Sequence, residues 1–238
     1  MRKVLIGLAV AAALLLGAGG AQATTGLLHI TGWLTTPTSA SVSVYDPNLG
    51  SNSGTYNIGS FAWEFNNMAQ SGPLFCLDIF HSFSMGQSWD VEVIPIPPDP
   101  EPPYNTAEAA WIFNTFGLSN TDATTGQAVQ LALWEVGHEQ DWRDNYDSAS
   151  WWQTGDNDGG DFAVSSVAMA ARDEATDILD QLFALDGPTA SAHYYRPLDA
   201  DLGQGMIGEI PEPGVLILLG SGLVSFAGAN WRRRRHNS

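Results

Sequence analysis

Leu74-Phe-Cys-Leu-Asp-Ile-Phe-His-Ser-Phe83 is the most apolar of the strand-like runs in this 238-residue chain. Period-two alternation would set Leu74, Cys76, Asp78 and Phe80 on one face and Phe75, Leu77, Ile79 and His81 on the other. Apolar residues on both faces predict a strand buried on both sides. The run also carries Cys76, the only cysteine of the chain.

The flanking sequence supports a β-rich first half. Ser41-Val-Ser-Val-Tyr45 and Trp89-Asp-Val-Glu-Val93 alternate with period two, and a Gly/Asn/Ser cluster at Asn48–Gly54 punctuates the runs. Pro95-Ile-Pro-Pro-Asp-Pro-Glu-Pro-Pro103 reads as a stiff, extended connector, without the Lys or Arg of an SH3-type ligand. Helical spacing then takes over. Thr106–Phe116 predicts one helix, with Gly117 suited to its C-terminal cap. Asp122 to His138 predicts a second, with Val129, Ala132, Leu133 and Val136 on one stripe. Leu131 and Trp134 fall outside that stripe, so this helix should be buried nearly all round. A third helix is predicted from Asp161 to Leu185, stopping at Gly187-Pro188, and a strand-like His193-Tyr-Tyr-Arg196 follows. There is no internal repeat. The fold class expected is α+β: a β-rich sandwich or barrel with a helical subdomain.

The ends are of a different kind. Arg2-Lys3, an apolar run from Val4 to Leu16 and a small-residue site ending at Ala23 form the pattern of a cleavable secretory signal over residues 1–23. At the other end Pro211-Glu212-Pro213 leads into an apolar run from Val215 to Trp231, followed by Arg232, Arg233, Arg234 and Arg235. Such a run is at the short limit for a membrane span, and the arginines predict a cytoplasmic C-terminus. The three parts in order resemble the PEP-CTERM sorting signal of Gram-negative bacteria. The resemblance implies a transmembrane sorting helix, recognition by an exosortase after passage through the secretion machinery, and transient anchoring in the inner membrane. It implies a final place at the cell surface or in the extracellular matrix. Residues 24–208 are then one exported domain, and 209–238 the sorting signal.

Composition narrows the function. Between residues 24 and 214 only Arg143, Arg172 and Arg196 stand against 26 acidic residues, a formal charge of −23. That surface repels nucleic acid and anionic lipid. Nine tryptophans indicate a packed core rather than disorder.

Gln130 is the polar residue that stands out on the apolar helix, and a buried amide needs partners. Its helix-surface neighbours are Gly126, Leu133, Trp134 and Gly137. Helical glycine costs about 1 kcal/mol, so the two glycines point to a backbone packed close against this face. If that backbone is the Cys76 strand, the sulfur meets the Gln130 amide, and attack with loss of ammonia gives an internal thioester. Phe75-Cys76-Leu77-Asp78 and Val129-Gln130-Leu131-Ala132-Leu133-Trp134, with Ala109-Ala-Trp111-Ile-Phe-Asn114 between them, resemble the motifs of the thioester domains of bacterial surface adhesins. The resemblance spans roughly residues 70–140. It implies that Cys76 and Gln130 are cross-linked, with Asp78 and Trp111 packing at the site, and that a surface nucleophile, typically an amine, is captured covalently. No cofactor and no enzyme activity are implied. Residues 24–238 contain no lysine that would quench such an ester.

Other readings stay open at this point. Cys76 as an inert small hydrophobe would leave a structural component of a polysaccharide matrix. A cysteine hydrolase needs a histidine base, and alternation turns His81 away from Cys76. His138 suits a helix-end cap or a base for forming the ester. Asp156, Asp158 and Asp161 are spaced like part of a calcium loop, but Val167 stands where an EF-hand has its glutamate. Trp151-Trp152 fits either a core or a sugar-stacking platform.

Overall fold

The computed structural model of the chain describes residues 24–46, 50–70, 72–96, 105–118, 122–139, 142–152, 162–188, 190–199 and 201–209. Residues 1–23, where a secretory signal is expected, residues 210–238 with the expected sorting helix, and Asp156, Asp158 and Asp161 lie outside these residues. No helix among the described residues is long and apolar enough to cross a membrane.

Six antiparallel strands close into a barrel. They are β1 (Thr24–Trp33), β4 (Phe61–Phe65), β6 (Leu74–Cys76), β7 (Ser88–Pro95), β9 (His193–Pro197) and β10 (Met206–Gly208). The circuit runs β1-β7-β9-β10-β6-β4 and returns to β1. Closure depends on the length of β1. Thr24–His29 pair with β7, while Leu28–Trp33 pair with β4 across a bulge between Ile30 and Gly32. A two-residue strand, β5 (Met68–Ala69), extends β4 through a hairpin whose turn residues Asn66 and Asn67 both have positive φ, 52° and 63°. Asparagine tolerates that conformation better than most residues, which suits the tight turn. Leu28, Ile30, Trp63, Val91 and Tyr195 fill the core.

A second sheet has the order β3-β2-β8, from β2 (Thr38–Asp46), β3 (Gly50–Ile58) and β8 (Phe162–Ser166). Its buried Val42, Val44, Phe162 and Val164 belong to the same core as the barrel residues. Here the sequence expectation is corrected. The third helix does not start at Asp161: α4 occupies Met169–Phe183, and residues 162–166 pair with β2. Phe162 and Val164 alternate with period two, and β2 has a free edge for them.

Helix α1 (Thr106–Ile112) runs into one π-helical turn (Phe113–Gly117). Gly117 does not end it in a left-handed cap. A Cβ there would sit 3.2 Å from the Phe75 ring, so the glycine serves close packing on β6. Helix α2 (Ala123–His138) is the axle of the structure, since it packs on α1, on α4, on β6 and on the second sheet. Asp122 caps its start by accepting from the Thr124 and Thr125 amides at 2.9 and 3.1 Å. Its last turn is held by Asn105, whose amide donates to the Val136 and Glu139 carbonyls at 2.9 and 2.6 Å. A one-turn helix, α3 (Trp142–Asn145), follows.

The buried length of α2 has an electrostatic cost. Burial, with the nearby Glu139 charge second, pushes the Glu135 carboxyl well above its ordinary range. The folded state therefore holds this proton more tightly than the unfolded chain. The contribution to stability is full below the unfolded value of about 4.3 and is lost as pH rises through the raised folded value. Glu135→Gln keeps the shape without the charge. In urea titrations across pH the variant should gain on the natural protein from about pH 4.3 upward, and an unchanging difference would contradict this account.

Candidate functional site

Cys76 and Gln130, 54 residues apart, meet at the junction of β6 and α2. On one side β6 pairs with β10, setting Cys76 opposite Met206, and the Leu77 and Asp78 amides both reach the Gly205 carbonyl. On the other side β4 pairs with β6 only at Phe61–Leu74. The next backbone groups of β6 are taken by the side chain of Gln130 instead. Its Oε1 accepts from the Cys76 amide at 3.0 Å, and its Nε2 donates to the Cys76 carbonyl at 2.6 Å. A side-chain amide thus stands in for one residue of a missing strand and satisfies groups that are costly to bury unpaired. Gln130 is 1% and Cys76 2% exposed.

The chain does not continue as a strand to Phe83. Beyond Cys76 it bends, so strand alternation no longer governs residues 77–83. His138 causes part of this by lying against the bend, with Nε2 3.3 Å from the Ile79 amide and 2.8 Å from the Leu77 carbonyl. Asp78 folds back as well. One carboxylate oxygen accepts from the Phe80 amide at 2.8 Å, and the other lies 2.6 Å from Nδ1 of His81. The turned-away position expected for His81 is therefore replaced by a hydrogen bond to Asp78.

The sulfur has a neighbour that sequence reasoning missed. Cys76 Sγ donates toward the Asp78 carbonyl at 2.9 Å and toward Oε1 of Gln204 at 3.2 Å. Gln204 is 5% exposed, and its Nε2 donates to the His81 carbonyl. It is set there by its flanking glycines. A Cβ on Gly203 would overlap the Trp89 indole, and one on Gly205 would overlap the Tyr194 hydroxyl. The Gly203-Gln204-Gly205 spacing was a legible hint of close backbone approach, although nothing in the sequence tied it to Cys76.

Cys76, Gln130, Trp134 and Gln204 line a cavity of about 380 Å³. Trp33, Phe61 and Phe83 form an aromatic wall, with Trp33–Phe61 and Phe61–Phe83 ring centroids 4.5 and 5.2 Å apart. Tyr56 stands on the other side, edge-on to Trp134 at 5.9 Å. Thr55, Asn57, Ser82 and Ser84 also line the cavity, and no Asp, Glu, Lys, Arg or His is among its described lining residues. Gly126, Leu133 and Gly137 are buried on α2 without lining it. Trp111 is placed elsewhere, edge-on to Phe116 at 5.5 Å. Trp151 and Trp152 pack at right angles, and Arg172 lies over Trp152 at 4.6 Å.

Burial, and secondarily the Asp78 charge, push the Cys76 thiol far above its ordinary range, against smaller opposing effects of Trp134 and of the Asp78 backbone. At neutral pH the group is a protonated thiol, whereas a hydrolase nucleophile needs a lowered pKa or an adjacent base. Gly205→Ala should force the 203–205 loop outward. The expected cost is about 1–3 kcal/mol of stability together with faster alkylation of Cys76, read by urea titration and mass spectrometry. Unchanged stability and protection would show that Gly205 does not hold the loop.

Residues 209–235 match the PEP-CTERM protein-sorting motif. No curated protein and no solved structure matches the chain. The motif marks this chain as an exported protein sorted by exosortase.

Proposed function

We propose that the exported domain forms a Cys76–Gln130 thioester and uses it to attach covalently to amines on another surface. The observation that carries this reading is the docking of the Gln130 amide on the Cys76 main chain inside an aromatic-walled cavity. The Cys76 amide already donates to Oε1, the atom that bears charge when the sulfur attacks the side-chain carbon. In that step the S–C bond forms and the C–N bond breaks. Nε2 departs as ammonia, taking up the thiol proton. Burial that disfavours the thiolate also makes it a reluctant leaving group, which suits an ester that must survive in water.

The cavity lining favours an amine over a hydroxyl as the captured nucleophile. A hydroxyl needs a general base at the site, and the described lining has no imidazole or carboxylate to serve as one. An ammonium group loses its proton more easily once desolvated, and the free amine then attacks unaided. The acidic body draws cations toward the domain. The lack of lysine in residues 24–238 prevents capture of its own copies through that side chain. Adhesion or anchoring within an extracellular matrix is the use that follows from export with such a hook.

Intact mass tests the reading. The purified exported protein should be lighter than its sequence by one ammonia. Methylamine should replace that deficit with an adduct on Gln130 and release one alkylatable thiol, and Cys76→Ala or Gln130→Ala should abolish both. Full mass with an unacylated Cys76 would reject the thioester and favour a matrix component without bond-forming chemistry.

A further inference from the structure

The indole N–H of Trp134 is buried without a well-formed hydrogen bond among the described residues, and the Cys76 sulfur is near enough to feel it as a donor. Trp134 is 3% exposed and lines the cavity together with Cys76 and Gln130. It sits four residues after Gln130 on α2, so both side chains leave the same face of the helix. An orphaned buried donor costs free energy, roughly 1–3 kcal/mol, unless some state of the protein uses it. At this position, the atom whose charge changes is the cysteine sulfur. Neutral sulfur is a poor acceptor, while a thiolate is a strong one.

We propose that the Trp134 indole N–H is the hydrogen-bond donor that receives the Cys76 thiolate when the thioester opens. This extends the thioester reading and rests on it for the reaction, though the donor–sulfur pairing itself does not. The amine nitrogen attacks the side-chain carbon of residue 130, the C–S bond breaks, and the electron pair goes to sulfur under the indole N–H. The proton lost by the attacking nitrogen then neutralises the thiolate. The resulting S–H finds the acceptors already in place, the Asp78 carbonyl at 2.9 Å and Gln204 Oε1 at 3.2 Å. Donor and acceptors thus serve opposite protonation states of one atom. Trp134 acts on the thiol as a hydrogen-bond donor, an effect smaller than and opposite to the upward push of burial and of Asp78.

Several other groups bear on this sulfur. Asp78 lies two residues along and is bound to His81, Tyr194 reaches it from β9, and His138 from α2 holds the adjoining backbone at Leu77 and Ile79. All are unchanged by a substitution at Trp134, which makes the comparison clean. Packing and hydrogen bonding also predict opposite signs. A smaller ring at 134 leaves space and exposes the sulfur, which speeds alkylation. Loss of the donor raises the thiol pKa and slows it.

The experiment compares the natural protein with Trp134→Phe and with benzothienylalanine at 134, an isostere of tryptophan without the N–H that preserves the fold if phenylalanine does not. Methylamine opening is followed first, and a tenfold to hundredfold slower opening is expected, about the range for losing one donor to a developing anion. The methylamine-treated proteins, in which Cys76 is free whether or not an ester had formed, are then alkylated across pH. Both variants should need about one pH unit more to reach the natural rate, a tenfold loss at fixed pH. Alkylation unchanged or faster in the isostere would overturn the proposal, whatever happens to opening. A natural protein without a mass deficit, but with the displaced alkylation profile, would sustain the donor and reject the thioester.

Discussion

The Gln130 amide on the Cys76 main chain is the joint between the barrel and the helical layer. Strand β6 is only three residues long, so its backbone beyond Leu74 depends on partners outside the β4 ladder. One glutamine, carried on a helix that is itself buried, supplies both a donor and an acceptor to that edge. Remove it and two buried peptide groups lose their partners in a medium that offers no water in exchange. The same contact delivers a carbonyl carbon to the neighbourhood of the only thiol. Structural need and chemical opportunity coincide in one pair of hydrogen bonds.

Around this joint the molecule keeps charge at a distance. A domain carrying 24 acidic residues lines its cavity with aromatic rings, hydroxyls and amides among the described residues. Asp78 is the exception closest to the sulfur. Its carboxylate is turned to the Phe80 amide and to His81, while its carbonyl faces the thiol. The result is a sulfur kept neutral at rest, a state suited to storage rather than to turnover. Histidine, the usual activator of a cysteine nucleophile, is here spent on shape. His138 braces the bend after β6, and His81 orders Asp78.

Local patterns made much of this legible. Strands β2, β7 and β9 and helix α2 fall where alternation and helical spacing place them, because each has a buried face whose period is recorded in its own residues. The pairing of Cys76 with Gln130 was also within reach, since a polar residue on a helix apolar all round needs a buried partner. Residues 77–83 misled for the same kind of reason. Their apolarity reports burial, but a bend braced by His138 buries side chains as well as a strand does. Residues 162–166 read as the start of a helix because Val164 fits a stripe with Val167 and Ala168, yet the open edge of β2 claimed them.

The amino-acid sequence by itself determined the sorting motif at residues 209–235, the acidic and lysine-free body, the central apolar helix and its glutamine. These are properties of composition and short-range spacing, which need no folding to read. Only the tertiary structure decided that β1 bridges two strands to close a barrel, that Gln204 reaches the sulfur from 128 residues away, and that the Trp134 indole N–H is buried near the sulfur without a well-formed hydrogen bond. Each of those depends on long-range register and on which polar groups remain unsatisfied after packing. Such quantities exist only once the chain has closed on itself.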